Sequence, residues 1–246
     1  VDIPESGYTT RGLVDAGDSD RQTPNGPPPD LLPNDAAIGI RIDDGGDGYI
    51  NQFEQSAVDL VGSSSGIADD TLVDVVVIDS LGNTLTFQAI VQNDQFTVAD
   101  ADLSSLEEGP LVAVATYADP YGNRVTGGDN SIKDTLASGQ DIAADTGADD
   151  VVNAVEAVDN TLSGTFANVQ AGADVEVTVS GAGNGDLVFT TTLDANGNWS
   201  IPDVDLDVFD DGTLTLSAST VDQAGNPASI TDTVEMDTLA TVTAVF

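Results

Sequence analysis

The chain repeats itself. DTLA at 134–137 returns at 237–240, an offset of 103. QFTVADADL (95–103) lies over NWSIPDVDL (198–206), and EGPLVAVATYADPYGN (108–123) lies over DGTLTLSASTVDQAGN (211–226). A period of this length means one structural unit used twice. From Ile38 onward each period breaks into short alternating runs separated by Gly, Asn and Asp, the pattern of strands joined by turns.

The first series of runs is IGIRI (38–42), AVDLVG (57–62), VDVVVID (73–79), TLTFQAI (84–90), QFTVA (95–99), PLVAVATYA (110–118) and SIKDTLA (131–137). The second is DIAA (141–144), TLSGTF (161–166), VEVTVSG (175–181), LVFTTTL (187–193), NWSIP (198–202), TLTLSAST (213–220) and SITDTVEM (229–236). In TLTLSAST, Leu214, Leu216 and Ala218 share one side and hydroxyl residues the other, as in a half-buried antiparallel strand. Short strands at a period near 100 residues predict an all-β chain of two tandem immunoglobulin-like antiparallel β-sandwiches. The expected division is a Pro-rich irregular leader over 1–37, sandwiches over 38–137 and 138–240, and the start of a following repeat at 241–246. The leader holds PNGPPPDLLPND at 24–35, which reads as extended linker. A second short linker is expected at Ala137–Ile142. Phe96 and Trp199 align and are expected in the two cores. SGAGNGD (180–186) lacks a lysine and joins two strands, so it reads as a hairpin rather than a phosphate loop.

Charge narrows the function. The formal net charge is −38, with only five Lys and Arg. Such a chain is repelled by nucleic acid and by anionic membrane surfaces, and no apolar run reaches membrane-spanning length. Cations are the favoured partners. Crowded carboxylates repel one another, so bound divalent ions would couple to folding. There is no cysteine and no histidine. Disulfides, thiolate sites and imidazole bases are therefore excluded, and no enzyme is expected.

The acids are most organised in DDGGDGYINQFE, Asp43–Glu54. A calcium loop of twelve residues places carboxylates at positions 1, 5 and 12, a backbone carbonyl at position 7 and a turn-forming glycine at position 6. Those are Asp43, Asp47, Glu54, Tyr49 and Gly48, with Ile50 as a buried anchor and Asn51 at position 9. DTGADDVVNAVE offers the same set in Asp145, Asp149, Val151, Asn153 and Glu156. Its position 6 is Asp150, which tolerates left-handed backbone. Position 3 is glycine in both loops, Gly45 and Gly147, and supplies no side-chain oxygen.

DPYGN (119–123) and DQAGN (222–226) occupy matching places between the sixth and seventh runs. Asp119 and Asp222 either donate oxygens to an ion beside the entering linker, completed by Asp134 and Asp141, or start tight turns in which glycine takes positive φ and Asn bonds back. Both readings stand at this level.

These residues together resemble the Ig-like repeats of giant type I-secreted, RTX-type or Bap-like bacterial biofilm adhesins. The resemblance rests on the acidic D…D-G-x-I-N…E loop, NGNWSI (196–201) and D-x-A-G-N after a long strand. It implies a calcium-binding structural extender at the bacterial cell surface, monomeric, touching neighbouring repeats of the same chain. It also implies that calcium stiffens the chain. Rival readings are a glycan- or ice-binding module and an envelope-lattice protein.

Overall fold

A computed structural model describes residues 36–119 and 123–239. The expected leader through residue 35 and the fragment at 241–246 lie outside the described residues. The described chain divides into two compact units with the break between Lys133 and Asp134, and Ile50–Phe53 are counted with the second. No helix occurs among the described residues.

The first series comprises β1 (Ala37–Ile42), β2 (Tyr49–Ile50), β3 (Val58–Ser65), β4 (Leu72–Ile78), β5 (Thr84–Ile90), β6 (Gln95–Ala101), β7 (Gly109–Ala118) and β8 (Arg124–Lys133). They form a three-stranded sheet, β1-β3-β6, and a five-stranded sheet, β2-β8-β7-β4-β5. The second series runs β9 (Ser138–Ala144), β10 (Val151–Val152), β11 (Asn160–Ala167), β12 (Asp174–Ser180), β13 (Leu187–Thr192), β14 (Asn198–Val204), β15 (Gly212–Val221) and β16 (Pro227–Met236). Its sheets are β14-β11-β9 and β10-β16-β15-β12-β13, the same topology again. The molecule is therefore two tandem immunoglobulin-like β-sandwiches.

Period-two alternation builds each core. In the first unit Val73, Val75 and Val77 on β4 and Leu111, Ala113 and Ala115 on β7 are fully buried, facing Leu60 and Phe96. In the second, Val175, Val177, Val179, Leu214 and Leu216 face Leu162, Phe166 and Trp199. Phe96 and Trp199 are 2% and 3% exposed, core aromatics as expected. With the one tryptophan inside, Trp199 has no face to offer a sugar.

Three expectations are corrected. SIKDTLA was read as a strand over 131–137, but β8 begins seven residues earlier and stops at Lys133. Its first half carries Gly127-Gly128, which interrupts the apolar alternation. Gly127 is there because a Cβ would lie 2.3 Å from the Ile38 carbonyl of β1. The linker expected at Ala137–Ile142 is mostly strand, because Ser138, Gly139 and Asp141 pair with β11. The stretch without strand is 134–137. Finally, the two-residue strands β2 and β10 lie inside the acidic loops, too short to leave a periodic signal.

Four hairpins share one clasp. In Asp79–Asn83, Asp119–Asn123, Asp194–Asn198 and Asp222–Asn226, the aspartate accepts the asparagine backbone N–H at 2.8–2.9 Å. The asparagine Nδ2 donates to the other carboxylate oxygen in each. The glycine before the asparagine sits at φ +86° (Gly82), +78° (Gly197) and +88° (Gly225), where a side chain is strained. The carboxylate thus adds to the backbone bond from the aspartate N–H to the asparagine carbonyl that closes each turn.

Asp79 reaches further. The Glu107 backbone N–H, then the Asn83 side chain and the Asn83 and Leu81 N–H groups, hold its carboxyl down to about 2 from an ordinary 3.8, against the opposing effect of burial. The folded state thus favours the charged form. That contribution is complete above about pH 4 and fades as pH falls through about 2. In an acid titration followed by circular dichroism, Asp79→Asn is expected to remove this part of the wild-type transition. An unchanged acid limb would show that the Glu107 tether carries no stability.

Candidate functional site

The two twelve-residue loops fold alike. Ile50 and Val152 are completely buried at position 8. They anchor each loop to the end of its sandwich, where Asp134 and Asp237 donate N–H to the Ile50 and Val152 carbonyls, each at 3.0 Å. Position 6 is left-handed in both, with Gly48 at φ +86° and Asp150 at φ +61°. Position 5 closes an Asx turn: Asp47 accepts the Tyr49 N–H at 2.9 Å, and Asp149 accepts the Val151 N–H at 3.3 Å. At position 9, Asn51 and Asn153 accept the N–H groups of Phe53 and Val155, both at 2.9 Å.

Glycine at position 3 has a spatial cause. A Cβ on Gly147 would stand 2.8 Å from Glu156 Oε1, and one on Gly45 would stand 3.3 Å from Glu54 Oε1. The side chain at position 12 folds back over the loop, and glycine leaves room for its carboxylate. In the second loop Asp145 Oδ1 also accepts the Gly147 N–H at 3.1 Å. Positions 1 and 12 therefore bring two carboxylates against one residue. Glu156 keeps its other oxygen on the Asn153 N–H at 3.0 Å.

The loops differ in how position 1 is held. Asp43 pairs with Arg41 at 2.8 Å, both side chains about half exposed. Its neighbour Asp44 accepts from Ser131 Oγ at 3.1 Å. Among the described residues no cation pairs with Asp145. Its backbone is held by Asn160, fully buried, whose Nδ2 donates to the Asp145 and Glu156 carbonyls at 2.8 and 3.3 Å. Asn160 Oδ1 accepts the Asp145 N–H at 3.1 Å. Val58 stands at the matching position of the first unit. Sequence reasoning missed Asn160, although an asparagine at an otherwise apolar strand position was a usable signal.

The remaining candidates are placed as follows. Asp119 and Asp222 are buried, with both carboxylate oxygens engaged by Asn123 and Asn226. Asp134 lies in the strand-free stretch and accepts the Leu136 N–H at 3.5 Å. Asp141 is exposed on β9 opposite Thr165. Among the described residues, no three acidic side chains converge on one point.

No protein-family model matches the chain, and no curated protein sequence does either. Solved structures do match. One is a tetra-tandem repeat in the extending region of a large adhesion protein, 27% identical over 82% of this chain and 49% of that one, TM-score 0.39. Another is a Ca²⁺-stabilized adhesin with which an Antarctic bacterium binds ice, 29% identical over 83% of this chain and 50% of that one, TM-score 0.46. A third is a bacterial immunoglobulin-like domain from the M. primoryensis ice-binding adhesin, 30% identical over 42% of this chain and all of that one, TM-score 0.31. The chain resembles the Ig-like repeats of large bacterial adhesins. It spans about half the length of the first and second of these adhesin structures.

Proposed function

We propose that this chain is a calcium-binding extender segment of a large bacterial cell-surface adhesin, serving surface attachment and biofilm formation. The observation that supports calcium is the glycine at position 3, which opens each loop to the carboxylate at position 12. In the second loop Asp145, Asp149 and Glu156 would hold the ion, with the Val151 carbonyl and Asn153 as further oxygen donors. In the first, Asp43, Asp47, Glu54 and the Tyr49 carbonyl would do so, with Asn51. Hard carboxylate and carbonyl oxygens are the donors that calcium takes. The ion would supply positive charge in a chain at −38. Extension at the bacterial surface follows from the tandem repeat and from the resemblance to extender repeats.

Calcium at a hundred times its Kd is expected to stabilise the occupied unit by about 2.7 kcal/mol. Trp199 fluorescence reports the second unit, since no other tryptophan is present. Its melting temperature should rise with calcium and fall back with chelator. Gly147→Ala and Glu156→Gln should each abolish most of that rise, whatever they do to the calcium-free protein. A Trp199 transition indifferent to calcium would overturn the assignment.

A further inference from the structure

The outer face of the first unit's five-stranded sheet is apolar at its centre. Across β4 and β7, Val76 stands opposite Val114 and Ile78 opposite Val112. Pro110 and Ile132 form the next pair, across β7 and β8. Their neighbours along β4 and β7, among them Val75, Val77, Leu111 and Ala113, are fully buried, so this set points away from the core. Val112 and Ile132 remain 44% and 39% exposed. The flanks are small and neutral. Gly128 and Asn130 lie beside Val114 and Val112 on β8, and Thr86 and Thr84 lie beside Val76 and Ile78 on β5.

The second unit shows that the fold does not require this. At the six matching places it has Thr178 opposite Ser217, Ser180 opposite Thr215 and Thr213 opposite Glu235. β4 and β12 share one burial alternation. The same sheet over the same kind of core is thus built with polar residues at all six positions, so the aliphatic set is not what holds the sandwich together. Aliphatic side chains gathered on one solvent face mark a contact. Three features of the patch select its occupant. It is flat, with β-branched side chains beside a glycine, the relief of two sheets that pack face to face about 10 Å apart. It is free of formal charge, whereas the chain stands at −38, so a second copy can approach there without setting carboxylate against carboxylate. It is also small. Four strands spaced at ~4.8 Å by seven residues rising ~3.3 Å each give a footprint of about 400 Å² per copy. Two copies then bury on the order of 1,000 Å², the size of weak, transient contacts and short of a permanent dimer.

We propose that this face packs against the same face of a second copy of the chain, in a reversible two-fold dimer. One patch meets itself, so the contact closes at two copies. It joins separate chains by a sheet face, not successive repeats by the ends of their sandwiches. It departs from the monomer that the resemblance implies, goes beyond the extender reading and does not depend on calcium.

Sedimentation equilibrium of the full chain tests this, at concentrations up to roughly 1 mM, where weak complexes form. Chelator is present, and the salt is about 1 M, where a Debye length of ~3 Å suppresses repulsion between acidic copies. The weight-average mass should rise with concentration toward twice the monomer and no further. Lowering the salt should weaken the association several-fold, the opposite of a contact made by ion pairs. Ile78→Ser/Val112→Thr, which installs the residues of the second unit, should abolish the rise. If that variant loses its fold by circular dichroism, Ile132→Glu takes its place, again copying the second unit. A mass that stays monomeric throughout, as when the patch is covered within one chain, would overturn the proposal. So would a rise that persists in the variant, one that lower salt strengthens, or one that climbs past two copies.

Discussion

Gly62→Ala is expected to destabilise the first sandwich by about 3 kcal/mol or more, at or beyond the upper end of ordinary overpacking. A Cβ there would lie 1.9, 2.1 and 2.2 Å from three atoms of the Phe96 ring. No real contact is that short. Gly62 sits on β3 directly opposite Phe96 on β6, and the ring lies flat over the glycine. The ring cannot retreat, because it is 2% exposed and enclosed by core. Urea unfolding by circular dichroism measures the loss. Trp199 fluorescence, confined to the second unit, should keep its midpoint. Shrinking the ring in Gly62→Ala/Phe96→Leu should recover part of the loss, which is the coupling expected of residues in contact. The second unit repeats the device with Gly164 beneath Trp199, where a Cβ would meet Cζ2 at 2.6 Å. It would also meet the Asp141 carbonyl at 2.4 Å. Backbone cannot be trimmed, so Gly164→Ala should resist rescue by a smaller residue at 199. A mild effect of Gly62→Ala would mean the ring has a second resting place.

That glycine also marks the limit of what alternation can convey. TLTLSAST announces buried and exposed faces by the chemistry of successive residues, so β15 was legible with its correct facing, whereas VDVVVID was legible as a strand without its facing. AVDLVG announces a strand, but nothing local says that its glycine is the floor under an aromatic from another strand. β8 was half-hidden for a related reason: Gly127-Gly128 has no side chain to alternate, and its cause is a β1 carbonyl far away in sequence. The acidic loops divide similarly. Spacing and anchor were readable, and Ile50 and Val152 are indeed buried. The reason for Gly45 and Gly147 was not, because it depends on where the Glu54 and Glu156 side chains fold. Of the four Asp-x-x-Gly-Asn clasps, DPYGN and DQAGN stood out by their aligned positions. DSLGN and DANGN passed unremarked, though the motif is the same at 79–83 and 194–198.

Lys133→Ala is expected to cost the first unit about 3 kcal/mol, and Lys133→Met clearly less. Lys133 ends β8 with its side chain 3% exposed, an unusual place for an ammonium group. It donates to the Leu106 carbonyl at 2.6 Å and the Ser104 carbonyl at 3.1 Å, and Glu108 lies 3.5 Å away. One side chain therefore ties down the whole turn between β6 and β7. Alanine would remove a four-carbon stem from a packed site and leave both carbonyls without their donor. A cavity and lost hydrogen bonds to a charged group act together there. The second unit shows what happens without the charge. Met236 occupies the matching position at the end of β16, 2% exposed, and Phe209 is buried in the turn equivalent to the one that Lys133 holds. Methionine fills nearly the same volume, so it keeps the packing of the stem and loses only the bonds to the Leu106 and Ser104 carbonyls. Denaturant midpoints of the two variants, read by circular dichroism, separate the terms. Equal losses for alanine and methionine would assign the stability to the ammonium group and not to packing of the stem.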